Sequence, residues 1–132
     1  MPTVLVVDDE VSIREVVVRT AALAGWKAEE ATDAESALSA LTRARFDLVC
    51  LDVRLPDHDG LWVADAIHDR YPDTPVVFLT GLEELPASKT LRRGVVGYLT
   101  KPFAIQDLLK VLLGVPQVAG DPPAAAPLRL VK

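Results

Sequence analysis

The sequence predicts an α/β protein, an open five-stranded parallel sheet with helices on both faces. Three observations predict it. Short valine- and leucine-rich runs alternate with segments whose apolar residues recur at helical spacing. Most of those runs are almost continuously apolar, as strands covered on both sides should be. Residues able to carry chemistry stand at or just past the ends of the runs, and strand carboxyl ends form the ligand-binding edge of such sheets. At 132 residues the chain supports one domain, large enough to bury roughly two-thirds of its unfolded surface.

Thr3 to Val7 reads as the first strand. From Val11 to about Ala24, Ile13, Val16, Val17, Ala21 and Ala24 mark the buried stripe of a helix, with Arg14, Glu15 and Arg19 outside and Gly25 ending it. Lys27 to Ala31 is a more polar strand, placed nearer the sheet edge. Thr32-Asp33-Ala34-Glu35 has the spacing of a capping box and opens a second helix with Ala34, Ala37, Leu38 and Leu41 on one face. Leu48 to Leu51 is the third strand, ending at Asp52. Asp57 to Gly60 reads as a turn into a third helix that runs to about Arg70, before Pro72.

Pro75 to Leu79 is the fourth strand. A fourth helix is expected from near Pro86, since proline fits a first turn, to just before Gly94. Val95 to Leu99 is the fifth strand, and a last helix turns Ile105, Leu108, Leu109 and Leu112 inward. Right-handed crossovers distribute the helices over both faces, while alternation alone leaves strand order open. After Gly114, the prolines at 116, 122, 123 and 127 interrupt small residues, and such a stretch buries too little apolar area to offset its ordering entropy. Residues 1–114 therefore read as the folded unit. Residues 115–132 read as a flexible Pro/Ala-rich tail or linker stub, with no output domain expected after it.

Composition narrows the function. The net charge is −5, without a basic stripe, which argues against direct nucleic-acid binding. No apolar run approaches the ~18 residues of a membrane span. The first strand begins almost at Met1, leaving no room for a signal peptide. Cys50, the single cysteine, lies in an apolar run and reads as a core residue of a protein in a reducing cytosol. His58 and His68 lack paired ligands, so zinc is not expected.

The chemistry-bearing residues are Asp8 and Asp9 after the first strand, Asp52 after the third, Thr80 after the fourth and Lys101 after the fifth. The topology gathers them into one cleft. Three carboxylates, a hydroxyl and an ammonium suit a hard cation and a phosphoryl group rather than a thiolate-seeking metal. Carboxylates about 4 Å apart repel by about 4 kcal/mol at an effective dielectric near 20, so the cluster calls for a cation.

In this order, Asp8-Asp9, Asp52, Thr80, Tyr98 and Lys101-Pro102 resemble the signature of the receiver domain of two-component response regulators. The likeness runs from about Thr3 to about Leu113. It implies the flavodoxin-like strand order 2-1-3-4-5. It also implies that Asp52 takes a phosphoryl group from a sensor histidine kinase or histidine phosphotransfer protein, with Mg²⁺ as cofactor. Asp9 and Asp52 would bind the metal directly, Asp8 through water, and Arg54 through its backbone carbonyl. Lys101 and Thr80 would contact the phosphate, Thr80 and Tyr98 would switch, and the Lys101–Pro102 bond would be cis. Side chains at Arg54 and Leu82 would border the path of attacking water and tune the lifetime of the phosphoryl group.

The resemblance further implies a signalling switch rather than an enzyme. Such a switch acts on a downstream protein partner, as a monomer or as a dimer promoted by phosphorylation. The chain would be either a stand-alone receiver or the receiver fragment of a larger hybrid kinase or transcriptional regulator. Gly97 before Tyr98 and the few charges on the last helix weaken an assignment to winged-helix regulators. A haloacid-dehalogenase-type phosphatase needs a second acid two residues after its nucleophile, where this chain has Arg54. No glycine-rich nucleotide-binding segment is present.

Overall fold

The computed structural model describes residues 1–81 and 94–114. Its elements are β1 (Thr3–Val7), α1 (Val11–Leu23), β2 (Lys27–Ala31), α2 (Ala34–Arg43), β3 (Leu48–Asp52), α3 (Gly60–Arg70), β4 (Val76–Thr80), β5 (Val95–Thr100) and a last helix, Ile105–Gly114. All strand pairs are parallel, and the sheet runs β2-β1-β3-β4-β5, the flavodoxin-like order. The helix expected from Pro86 and the tail from residue 115 lie outside the described residues.

The two-residue period of a strand splits the core into two layers. Val4, Val6, Leu48, Cys50, Val77 and Leu79 enter one layer with Val17 and Ala21 of α1 and with Leu108, Val111 and Leu112 of the last helix. Their neighbours Leu5, Val7, Val49, Leu51, Val76 and Phe78 enter the other with Ala37 and Leu41 of α2 and Val63 and Ile67 of α3. Each central strand is covered on both sides, which accounts for its unbroken apolar composition. Burial pushes the Cys50 thiol up to about 12, so it is an inert core residue.

Local chemistry sets the helix boundaries. Gly25, at φ +83°, ends α1. Trp26 N–H donates to the Ala21 carbonyl at 2.8 Å and Gly25 N–H to the Ala22 carbonyl at 3.2 Å, a paired arrangement that satisfies the last carbonyls. The capping box of α2 is displaced by one residue from the expected Thr32–Glu35 pair. Asp33 is the extended N-cap and Ser36 its reciprocal partner, because the Asp33 carboxylate reaches the Ser36 N–H at 2.8 Å.

Two expected orientations differ, those of Arg14 and Ile105. Arg14 faces inward to partners described below rather than outward. Thr20 is fully buried, its hydroxyl donating to the Val16 carbonyl at 2.7 Å, so a residue that reads as polar joins the α1 stripe. Ile105 is half exposed while Val111 is buried. Val111 completes the stripe set by Leu108 and Leu112 at helical spacing, whereas Ile105 stands in the first turn at the stripe's end.

These environments predict opposite outcomes for two truncations. Phe78→Ala should lower unfolding free energy by about 3–5 kcal/mol, whereas Ile105→Ala should change it by no more than about 0.5 kcal/mol. Urea denaturation measures both. Comparable losses would contradict the packing described.

Candidate functional site

Backbone pairing just beyond the strand ends aligns the chemistry. Asp8 N–H donates to the Ala31 carbonyl at 3.1 Å, Val53 N–H to Leu79 at 3.2 Å and Lys101 N–H to Thr80 at 2.7 Å. These bonds bring Asp8, Asp52, Thr80 and Lys101 to one edge of the sheet. Asp8, Asp9 and Asp52 each offer a carboxylate oxygen within 4.8 Å of the others. Asp8 and Asp52 are buried, and Asp9 is exposed at the mouth.

Lys101 Nζ lies 2.8 Å from Asp8 Oδ2, 3.5 Å from Asp52 Oδ2 and 3.7 Å from Glu10 Oε1. Burial works against its charge, but Asp8, Asp52 and Glu10 outweigh burial and raise its pKa. Asp8 Oδ2 is buried against the Lys101 ammonium, a charge-assisted contact at 2.8 Å. Its other oxygen accepts from Glu10 N–H at 2.9 Å. Three carboxylates that each offer an oxygen to one point, two of them buried, fit a hard cation taking oxygen ligands.

Asp52 has two roles for its oxygens. Oδ1 accepts from Arg54 N–H at 3.1 Å, and Oδ2 faces Lys101. Its pKa is pushed up to about 6, first by burial and then by the Asp8 charge, against the opposing pull of the Arg54 N–H and Lys101.

The loop after Asp52 folds back on β3. Arg54 and Asp59 form an antiparallel bridge, and Gly60 N–H donates to the Val53 carbonyl at 2.7 Å. A Cβ at Gly60 would collide with the Asp52 carbonyl and stand 2.7 Å and 2.9 Å from Val53 Cα and O. Only glycine permits so close an approach. Asp59 caps α3 through Leu61 N–H at 2.8 Å. The ring of exposed His58 stacks on Trp62, with centroids 4.0 Å apart.

Thr80 is buried at the end of β4, and its hydroxyl donates to the Gly81 carbonyl at 3.0 Å. Tyr98 is half-buried, packed beside the α2–α3 core layer. The Lys101–Pro102 bond is cis. Leu82 lies outside the described residues.

Sequence reasoning assigned no site role to Glu10 or Arg14. Arg14 donates from its guanidinium to the Asp8 carbonyl at 2.8 Å and to Glu30 at 2.9 Å, tying the acidic turn to β2. Its helical spacing reads as outward; the signal available was a cation six residues after the acidic Asp8. Asp57, read as a turn residue, bonds to α2 instead: Oδ1 accepts from Ala34 N–H at 2.9 Å and Oδ2 from Glu35 N–H at 3.1 Å.

The raised pKa of Asp52 predicts a pH dependence without metal. An unfolded aspartate titrates near 3.9, so from about pH 4 to pH 6 the folded chain holds the extra proton and this group's contribution to stability falls as pH rises. In metal-free buffer Asp52→Asn should melt above wild type at pH 7.5, with the gap closing toward pH 5. A gap that does not depend on pH, followed by thermal unfolding with chelator, would contradict this.

The comparisons with known proteins agree with this geometry. Residues 4–113 match the family described as response regulator receiver domain. TcrX of Mycobacterium tuberculosis is 40% identical over 108 residues, covering 81% of this chain and 46% of TcrX. The DNA-binding transcriptional regulator NtrC of Proteus hauseri is 36% identical over 110 residues, covering 83% of this chain and 23% of NtrC. The chain thus spans less than half the length of either relative. Among solved structures, the chemotaxis response regulator CheY4 of Vibrio cholerae superposes with a TM-score of 0.79 at 37% identity, covering 88% of this chain and 99% of CheY4. The receiver domain of NtrX from Brucella abortus gives 0.77 at 36%, covering 83% and 94%. The fold, the acidic edge and these relatives together assign the chain to the response regulator receiver domain family.

Proposed function

We propose that this receiver accepts a phosphoryl group on Asp52 and changes its surface in response. One cluster carries the reading: Asp8, Asp9 and Asp52 with oxygens within 4.8 Å of one another, and Lys101 Nζ placed 2.8 Å and 3.5 Å from two of them. The donor is a sensor histidine kinase or a histidine phosphotransfer protein. Asp8, Asp9, Asp52 and the Arg54 carbonyl would hold Mg²⁺. A bound Mg²⁺ supplies positive charge where phosphoryl oxygens gather.

The chain's own groups do the rest. An Asp52 carboxylate oxygen attacks phosphorus, the P–N bond to the donor imidazole breaks, and its electron pair stays on the nitrogen, which takes up a proton. Lys101 places a point charge beside Asp52 to meet one phosphoryl oxygen. Thr80 exchanges its bond to the Gly81 carbonyl for another phosphoryl oxygen, and Tyr98 turns into the space released. Phosphate drives this shift only by binding the switched state better. The chain is a switch that assists its own phosphorylation and dephosphorylation rather than an enzyme with a separate substrate.

The output is contact with a downstream protein through the face of the fourth helix (which lies outside the described residues), β5 and the last helix, by a monomer or a phosphorylation-promoted dimer. Residues 1–114 are the receiver and 115–132 a tail or linker stub. The cytoplasm suits the acyl phosphate chemistry and the free Cys50, and among the described residues no helix is long and apolar enough to cross a membrane. A second reading, the receiver piece of a longer transcriptional regulator or hybrid kinase, is favoured by the further length of TcrX and NtrC.

With Mg²⁺ and a small acyl phosphate donor, wild type should acquire hydroxylamine-labile label and Asp52→Asn should not. Equal labelling of the variant would sink the assignment. Lifetime is a separate matter. Leu82 offers no group to orient water, and Arg54 is long enough to pair with the phosphate. An Arg54→Asn, Leu82→Glu variant should therefore lose phosphate faster once the donor is removed. Unchanged decay would show that neither residue governs lifetime.

A further inference from the structure

We propose that Asp57 is a positioning residue whose carboxylate clamps the acceptor loop to α2 and thereby sets where the Arg54 carbonyl stands. The inference rests on the metal-site reading above. It begins with the N–H groups in the first turn of α2, which have no intrahelical partners. The N-cap Asp33 N–H is met by the Ser36 hydroxyl at 3.3 Å and Ser36 N–H by the Asp33 carboxylate at 2.8 Å. The remaining two, Ala34 and Glu35, both donate to Asp57, at 2.9 Å and 3.1 Å.

Asp33 and Ser36 already complete a capping box on α2. A second carboxylate, from 22 to 23 residues away in sequence, adds a connection that the helix does not need for its own cap. It accepts two charge-assisted hydrogen bonds at the positive end of the helix dipole.

The loop that supplies Asp57 gains most from the contact. Its start is held by the Val53 and Arg54 N–H groups and its end by Gly60 and Asp59. Between these points Leu55 packs against the core layer, while Pro56, Asp57 and His58 are exposed. Asp57 is therefore the polar tie in the middle of the loop, three residues after Arg54. Freeing it widens the range of positions open to the Arg54 carbonyl, and a cation must then order that carbonyl at the expense of affinity. Linkage works in reverse as well: a cation held by the loop should tighten the clamp.

The test compares full-length wild type, Asp57→Ala, Asp57→Asn and Asp33→Ala. Mg²⁺ is titrated by NMR, and amide exchange is followed with and without Mg²⁺. Asp57→Ala should raise the Mg²⁺ dissociation constant about tenfold, as loss of a group supporting a ligand does. Asp57→Asn keeps one acceptor oxygen without the charge and should fall between it and wild type. Asp33→Ala, which weakens α2 without touching the loop, should lower Tm yet leave the constant within about twofold of wild type. Mg²⁺ should slow exchange of the Ala34 and Glu35 amides in wild type, and metal-free Asp57→Ala should show faster exchange at Val53 to Asp59. An Asp57→Ala constant within about twofold of wild type, an equal loss in Asp33→Ala, or unchanged loop exchange each overturns the clamp. Failure of wild type to bind Mg²⁺ overturns the metal-site reading itself, and the clamp with it.

Discussion

Lys101 sets a positive charge 2.8 Å from Asp8 and 3.5 Å from Asp52, at the edge where four strands deliver their last residues. Like charges about 4 Å apart cost about 4 kcal/mol at an effective dielectric near 20. One ammonium can offset roughly one such repulsion. With Asp9 and Glu10 also near, the edge stays short of positive charge. The Asp52 carboxyl, pushed up to about 6 by burial and by the Asp8 charge, reports that shortage. The surrounding architecture is rigid enough to hold such a deficit. Backbone bonds carry β1, β3 and β5 past their strand ends, and Arg14 pins the Asp8 carbonyl. Removing one member of a buried charge pair is strongly destabilising, because the other is left uncompensated.

Much of the fold was legible because strand and helix leave different periods in the sequence. Val4 to Val7, Leu48 to Leu51 and Val76 to Leu79 are apolar throughout, and each proves to be covered on both faces. Gly25 marked the end of α1 because the left-handed conformation there is one that glycine readily adopts. The gathering of Asp8, Asp52, Thr80 and Lys101 followed from strand ends alone. What stayed hidden was contact between elements distant in sequence. Arg14 lies on a helix face that reads as solvated, and only the approach of β2 and the Asp8 turn makes it a tie. Asp57 has turn character by composition, and nothing in its neighbours reveals that α2 lies within reach. Thr20 joins the core because its hydroxyl finds a carbonyl one turn earlier, which periodicity in hydrophobicity does not register.

The two core layers also explain why the site sits where it does. Alternate residues of β1, β3 and β4 are committed to opposite layers, so the sheet interior has no room for polar groups. Chemistry is displaced to the first residue at which a strand stops pairing on both sides. Gly60 then lets the loop return against Val53 and stay close to the sheet.

At the far side from β5, strand β2 ends the sheet with Lys27, Glu29 and Glu30 among its five residues. Glu29 pairs with Arg43 at 3.6 Å and Glu30 with Arg14 at 2.9 Å. An unpaired strand edge is a template on which another chain can extend a sheet, and charged side chains along it oppose that growth. This border is therefore guarded by the same Arg14 that steadies the acidic turn, and a single side chain links solubility at the rim of the sheet to order at its chemical edge.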